Sequence, residues 1–236
     1  MAWGAPAAVR AVFLDAGHTL LKGQPSWFEV WAEGLGEFDV TLDREALQRA
    51  YARASDALSH IPPDQFTEDT WRQFLREMVA NLEVPGQEDE IADRMHQILA
   101  RTRPRYTPYP EAPGVLEELR RRGLRLAVVS NWEPDLPEVL EQVGLRDYFD
   151  AVVASALVGA AKPDPRIFQV ALDAVAVRPE EAVHVGDSYE ADVRGARAAG
   201  VYPVLIDRDR VFHQVDCDLI YDLRELPPLL DRLGTP

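Results

Sequence analysis

Val9-Arg10-Ala11-Val12-Phe13-Leu14-Asp15-Ala16-Gly17-His18-Thr19 opens with a short, mostly apolar run and ends in a carboxylate with turn-forming residues behind it. The run predicts a buried strand that delivers Asp15 into a turn. Similar runs recur at Leu124–Val129, Ala151–Val153, Ala182–Val185 and Tyr202–Ile206, with helical patterns between them. Such alternation specifies an α/β fold, a parallel sheet covered by helices. Pro113 near the start of Ala112–Arg122 and Gly123 past its end bracket one helix, and Gly144 and Gly200 stop two more.

From about Pro25 to Thr102 the rhythm breaks: helical patterns recur and no strand-like run appears. This predicts an inserted helical subdomain. Trp27, Val30, Trp31 and Leu35 keep helical spacing, as do Trp71, Phe74, Leu75 and Met78, and both stripes read as packing. Pro62-Pro63 and Pro85-Gly86 mark connections. Arg103–Pro113 carries Pro104, Pro108, Pro110 and Pro113, and reads as a stiff return strap.

The 236 residues include 25 basic and 40 acidic side chains, a formal charge of 25 − 40 = −15. Such a surface repels phosphate backbones and anionic lipid, which argues against nucleic acid as a partner. No apolar stretch reaches the roughly 18 residues of a membrane span, and Met1–Pro6 lacks the charged and apolar regions of a signal peptide. The expected compartment is cytoplasmic. Cys217 is the only cysteine, which excludes an internal disulfide and a cysteine-built metal cluster.

In an open parallel sheet, ligands bind beyond the carboxyl ends of the strands. The first strand delivers Asp15, the second Ser130-Asn131, the region after the third Lys162, and the fourth Gly186-Asp187-Ser188 with Asp192 beyond. Each has a structural explanation alone, as a turn, a helix cap or a solvated charge. Together they supply a nucleophile, a hydroxyl, a cation and further carboxylates, chemistry that packing does not require. Lys162 is one of two lysines in the chain, with Lys22, against 23 arginines, which suggests a need for a compact charge there.

These residues resemble the motifs of the haloacid dehalogenase superfamily of aspartate-nucleophile hydrolases. Val-Phe-Leu-Asp15-Ala-Gly-His-Thr19-Leu20 is similar to its first motif and Val-Val-Ser130-Asn131 to its second. Lys162-Pro163-Asp164-Pro165 with Ile167-Phe168 is similar to the third, and Val-Gly186-Asp187-Ser188 with Asp192 to the fourth. The resemblance implies a Rossmann-like, doubly wound core over residues 1–23 and 103–236, and an all-helical cap over 24–102.

It also implies the roles. Asp15 attacks phosphorus and becomes an aspartyl-phosphate, and Mg²⁺ offsets the repulsion between carboxylate and phosphoryl group, held by Asp15, Asp187 and the backbone carbonyl of Gly17. Lys162 neutralises phosphoryl oxygens and Asp15, while Ser130 and Asn131 bind the phosphate. Asp192 orients Lys162 or holds a water on the metal. The implied substrate is a small phosphorylated metabolite; the sequence names neither that molecule nor an oligomeric state.

One position departs from the pattern. Superfamily phosphatases carry a second aspartate two residues after the nucleophile as general acid and base; here it is Gly17. Such help is worth roughly 10²–10⁴ in rate. His18 is a conceivable substitute, though its direction in the turn favours a structural or cap-contacting role. His184 reads as a satisfied strand histidine, and Trp132 either edges the pocket or covers a helix start. Gly17 leaves two alternatives beside the phosphatase: a degenerate member that binds phosphate or protein without turnover, or a phosphonate- or haloacid-cleaving member. Dehalogenases need no metal and usually have an arginine soon after the first motif, whereas this chain has none between Asp15 and Arg44. For phosphonate cleavage, the only lysine outside the third motif is Lys22.

Overall fold

The computed structural model describes residues 6, 8–41, 43–58, 61, 67–82, 84, 86–102, 104–212 and 214–234. From the N-terminus run β1 (Ala11–Leu14) and β2 (Leu21–Gln24), then α1 (Trp27–Gly36), α2 (Arg44–Ala57), α3 (Glu68–Ala80) and α4 (Glu88–Arg101). Next come β3 (Arg105–Pro108), α5 (Ala112–Arg121), β4 (Arg125–Ser130), α6 (Leu136–Gln142), β5 (Ala151–Ala154), α7 (Ser155–Val158) and α8 (Pro165–Val175). The chain ends with β6 (Ala182–Gly186), α9 (Gly195–Ala198), β7 (Tyr202–Ile206), β8 (Asp218–Ile220) and α10 (Leu226–Arg232). Two compact units result, Met1–Lys22 with Tyr106–Pro236, and Gly23–Arg105.

The first unit is built on a six-stranded sheet in the order β5-β4-β1-β6-β7-β8, with every described pairing parallel. Its strands are buried on both faces, so they read as continuous apolar runs. Val12, Leu14, Val128, Val185 and Ile206 join one core with residues of α5, α6 and α10. Ala11, Phe13, Ala127 and Val129 join another with Ile167, Phe168, Ala171 and Leu172 of α8. After β1 the chain builds outward through β4 and β5, then returns to the other side of β1 as β6. That reversal creates the crevice where open α/β sheets bind ligands.

In the second unit, helix faces from α1 to α4 close on Trp31, Leu35, Leu47, Phe74, Leu75, Met78, Ile91 and Met95. The two aromatic stripes are mainly packing, although Trp27 is 39% exposed. Ser26 caps α1 through a reciprocal pair with Glu29, and Thr67 caps α3. A methyl on Gly34 would meet Met95 Sδ at 2.3 Å, which explains a glycine inside α1.

The return strap is extended: Arg105–Pro108 form β3, paired with β2 in a separate two-stranded sheet, and Pro113 enters the first turn of α5. The prolines flank or end the strand, so ladder pairing survives. Pro62, Pro63, Pro85, Arg103 and residues 1–5 lie outside the described residues. Among the described residues no helix is long and apolar enough to cross a membrane.

Candidate active site

β1 pairs with β4 on one side and β6 on the other, and the Leu14↔Val128 and Leu14↔Val185 registers bring three strand ends level. Asp15 leaves β1 with its N–H on Val185 O at 2.9 Å. At the end of β4, Ser130 Oγ donates to Asp15 Oδ1 at 2.9 Å, both residues buried. Lys162 Nζ donates to the same oxygen at 2.5 Å and to Asp192 Oδ1 at 2.6 Å, with its side chain only 2% exposed.

The Lys162 loop is held from β4. Asn131 Nδ2 donates to Lys162 O at 2.8 Å, and Lys162 N donates to Asn131 Oδ1 at 2.7 Å. One N–H of the Asn131 amide and its Oδ1 therefore fix the lysine loop. Asp192 is fixed with equal care: Ser188 N donates to its Oδ2 at 2.9 Å, and His184 Nε2 lies 2.8 Å from its Oδ1. Asp192 sits in a wide helical turn, Tyr189–Arg194, in which Val193 N reaches back five residues to Ser188 O. Such turns are frequent at functional sites.

Burial raises the Asp15 carboxyl, and Lys162 counters it. Burial also disfavours charge on Lys162, but Asp15 and Asp192 more than offset this and hold the ammonium above its usual range. Asp192 is driven below the usual carboxylate range, since Lys162 and His184 overcome its burial. Asp187, at the end of β6, is raised to about 7 by burial, with Asp15 and Asp192 adding to the rise. Among the described residues no hydrogen-bond donor reaches its carboxylate. The Ala16, His18 and Thr19 carbonyls each accept a hydrogen bond, whereas that of Gly17 between them has no donor among the described residues. Asp15, Asp187 and the unengaged Gly17 carbonyl are hard oxygen donors of the kind that suits a divalent cation. No group of three or more His, Cys, Asp or Glu side chains among the described residues is arranged to hold a metal.

His18 takes a left-handed φ of 58°. Its Nε2 lies 2.7 Å from Asp209 Oδ2 and its Nδ1 3.2 Å from Tyr109 OH, so the ring braces the turn. His184 corrects the expectation of full satisfaction: Nε2 meets Asp192, but Nδ1 has no partner among the described residues, and Phe168 packs edge-on against the ring at 4.9 Å. Trp132 covers a helix start and lies close to Gly17. A Cβ on Gly17 would lie 3.5 Å from Trp132 Cζ3, and the indole N–H donates to Asp135 at the start of α6. Lys22 is exposed on β2.

Residues 9–200 match the haloacid dehalogenase-like hydrolase family. The chain belongs to the haloacid dehalogenase-like hydrolases. It is 43% identical over 184 residues to a phosphoserine phosphatase of Thermus thermophilus, covering 77% of this chain and 69% of that protein. It is 33% identical to the haloacid dehalogenase-like hydrolase domain-containing protein 3 of Mus musculus, over 84% of this chain and 82% of that one. The crystal structure of a phosphatase of this superfamily from Thermococcus onnurineus superposes with a TM-score of 0.59 at 25% identity, covering 94% of this chain and 98% of the other.

As a haloacid dehalogenase-like hydrolase, the chain also holds residues that reading four strand ends does not reach. Arg208 follows β7 and donates to His18 O at 3.0 Å and Thr19 O at 2.7 Å. Its guanidinium pairs with Glu111 at 2.7 Å and lies 3.5 Å from the Tyr109 ring centroid. The sequence does carry a signal, because Tyr202–Ile206 reads as a strand and Arg208 stands just past its carboxyl end.

Proposed function

We propose that this hydrolase is a Mg²⁺-dependent phosphatase of a small phosphorylated metabolite, with Asp15 as nucleophile. The observation that carries the reading is Lys162 Nζ bridging Asp15 and Asp192 in a buried network that Ser130 completes. A carboxylate oxygen held by an ammonium and a hydroxyl is aimed and kept from wandering, which lowers the cost of reaching an in-line attack. The same donors suit the negative oxygens of a phosphoryl group, so Lys162 and Ser130 exchange part of their contact with Asp15 for contact with substrate. Asn131 contributes through its backbone N–H, since its amide holds the lysine loop. Attack by Asp15 expels the alkoxide, which takes its proton from water, and forms an aspartyl-phosphate; water then cleaves the acyl phosphate to restore the Asp15 carboxylate and release phosphate.

Asp15, Asp187 and the Gly17 carbonyl would hold Mg²⁺, which would neutralise charge between nucleophile and phosphoryl group when bound. We assign Gly23–Arg105 as the cap that selects substrate. The name of the Thermus phosphoserine phosphatase, 43% identical, supports a phosphoric monoester over a carbon–halogen bond. The test is a screen of phosphate esters, phosphonates and haloacids with and without Mg²⁺, on the wild type and on Asp15→Asn. Phosphate release that needs Mg²⁺ and vanishes in Asp15→Asn is expected. Equal turnover in the variant would refute covalent catalysis by Asp15.

A further inference from the structure

Gly17 gives the turn after the nucleophile more backbone freedom than any other residue would. Yet the turn is fixed on both sides of it. Leu20 and Leu21 N–H groups both donate to Ala16 O, and His18 N donates to Leu21 O at 2.8 Å. Because a trans peptide is planar, fixing the His18 N–H also fixes the opposing Gly17 carbonyl. His18 is held in the left-handed region, a costly conformation for a residue with a side chain, so surrounding contacts must impose it.

Arg208 supplies those contacts. Its Nε and one terminal nitrogen grip the His18 and Thr19 carbonyls, the other terminal nitrogen pairs with Glu111, and its face covers Tyr109. The Arg208 and Glu111 side chains are only 9% and 10% exposed, so the fork is shielded from competing water. Tyr109 and Asp209, on either side of the fork, hold the His18 ring. Arg208 also lies beyond residues 9–200, the span that the family model matches.

We propose that Arg208 is a positioning residue that, braced by Glu111, locks the turn so that the Gly17 carbonyl presents itself to a divalent cation. The inference rests on the metal-assisted reading above. It accounts for a carbonyl left unengaged between gripped neighbours, and for a histidine held where glycine is preferred. A planar fork can hold two successive carbonyls, whereas an ammonium on a flexible stem cannot do so with the same geometry.

The test is calorimetric titration of Mg²⁺ into the metal-free wild type, Arg208→Met and Arg208→Lys, with Leu229→Ala as a core variant outside the clamp. Arg208→Met is expected to bind Mg²⁺ about tenfold or more weakly, the range seen when groups orienting a metal ligand are lost. Arg208→Lys should recover part of the affinity. In assays, kcat at saturating Mg²⁺ should change less than the Mg²⁺ concentration required for half-maximal rate. Leu229→Ala should melt earlier yet keep its Mg²⁺ affinity. A folded Arg208→Met within about twofold of wild-type affinity overturns the proposal, as does equal weakening in Leu229→Ala. If Arg208→Met does not fold, Glu111→Gln replaces it, with severalfold weaker binding expected and unchanged binding overturning the idea. A wild type that binds no Mg²⁺ overturns the metal reading and the clamp together. Binding by the wild type with no change in the variants removes the clamp alone.

Discussion

The Asp192 carboxylate lies against the backbone of Gly186, so closely that a methyl at residue 186 would fall 2.1 Å from its Cγ. Gly186 is needed for this approach, not for an unusual φ. Gly186→Ala should expel the carboxylate from its place between Lys162 and His184, at a cost of about 1–3 kcal/mol for overpacking. Turnover should fall further than stability, because the displaced group sets the position of Lys162. Urea unfolding and steady-state rates check both effects. A variant with wild-type turnover would show that Asp192 does not position the lysine.

Lys162 is the cation shared by two buried carboxylates, so its removal strands both. Lys162→Met should lower unfolding free energy by about 3–5 kcal/mol near neutral pH, the usual cost of breaking a buried pair from one side. The loss should shrink in acid, where the stranded carboxylates are protonated and no longer charged. Urea midpoints at two pH values measure this. An unshifted midpoint at neutral pH would mean that Asp15 and Asp192 are not buried as charges.

Asp187 gives a pH dependence whose sign is set by its raised pKa, about 7 against an ordinary 3.8. With the folded value raised, the associated stability is fully present below the ordinary value and is lost as pH rises through about 7. Metal-free protein should therefore melt progressively earlier across that window. With Asp187 as the proposed ligand, Mg²⁺ would compete with the proton, so its affinity should rise by about fivefold from about pH 6 to about pH 7 and level off above. Calorimetry in buffers of different ionisation heat would count the released proton. Affinity independent of pH would remove Asp187 from the ligand set.

Much of this site was legible because the rule used to find it is geometric. In a parallel sheet, the residues just past the strands gather at one edge, so Asp15, Ser130, Lys162, Asp187 and Asp192 could be read together without contacts. Side-chain allegiance could not be read. Asn131 looks like a phosphate donor in sequence, and the structure adds that one of its amide N–H groups and its Oδ1 hold the Lys162 backbone. β2 and β3 are silent in the sequence because four-residue strands interrupted by Gly23 or ending at Pro108 carry almost no periodic signal. Likewise, the end of the Tyr202–Ile206 run brings Arg208 to the edge of the sheet, but the sequence does not say which carbonyls its guanidinium grips.

Gly17 separates a handicapped phosphatase from a protein that never required the acid. Its φ is outside the left-handed region, and a Cβ there would meet only Trp132 Cζ3, at an ordinary 3.5 Å. Neither backbone strain nor lack of space therefore explains the glycine, and Gly17→Asp should fold. The added carboxylate would stand near Asp15 and Asp187, so a modest drop in metal-free melting temperature is expected, recovered on adding Mg²⁺. An alkyl phosphate, whose leaving oxygen needs a proton, should be hydrolysed about tenfold or more faster, within the range of general acid–base catalysis. An aryl phosphate with an acidic leaving group should gain much less, since its oxygen departs with little help. Measuring both esters on the same protein isolates proton transfer from changes in metal or phosphate binding, which would move the two rates together. A stably folded Gly17→Asp with no gain on either ester would mean that proton donation does not limit this site, and that a residue other than the missing aspartate sets its rate.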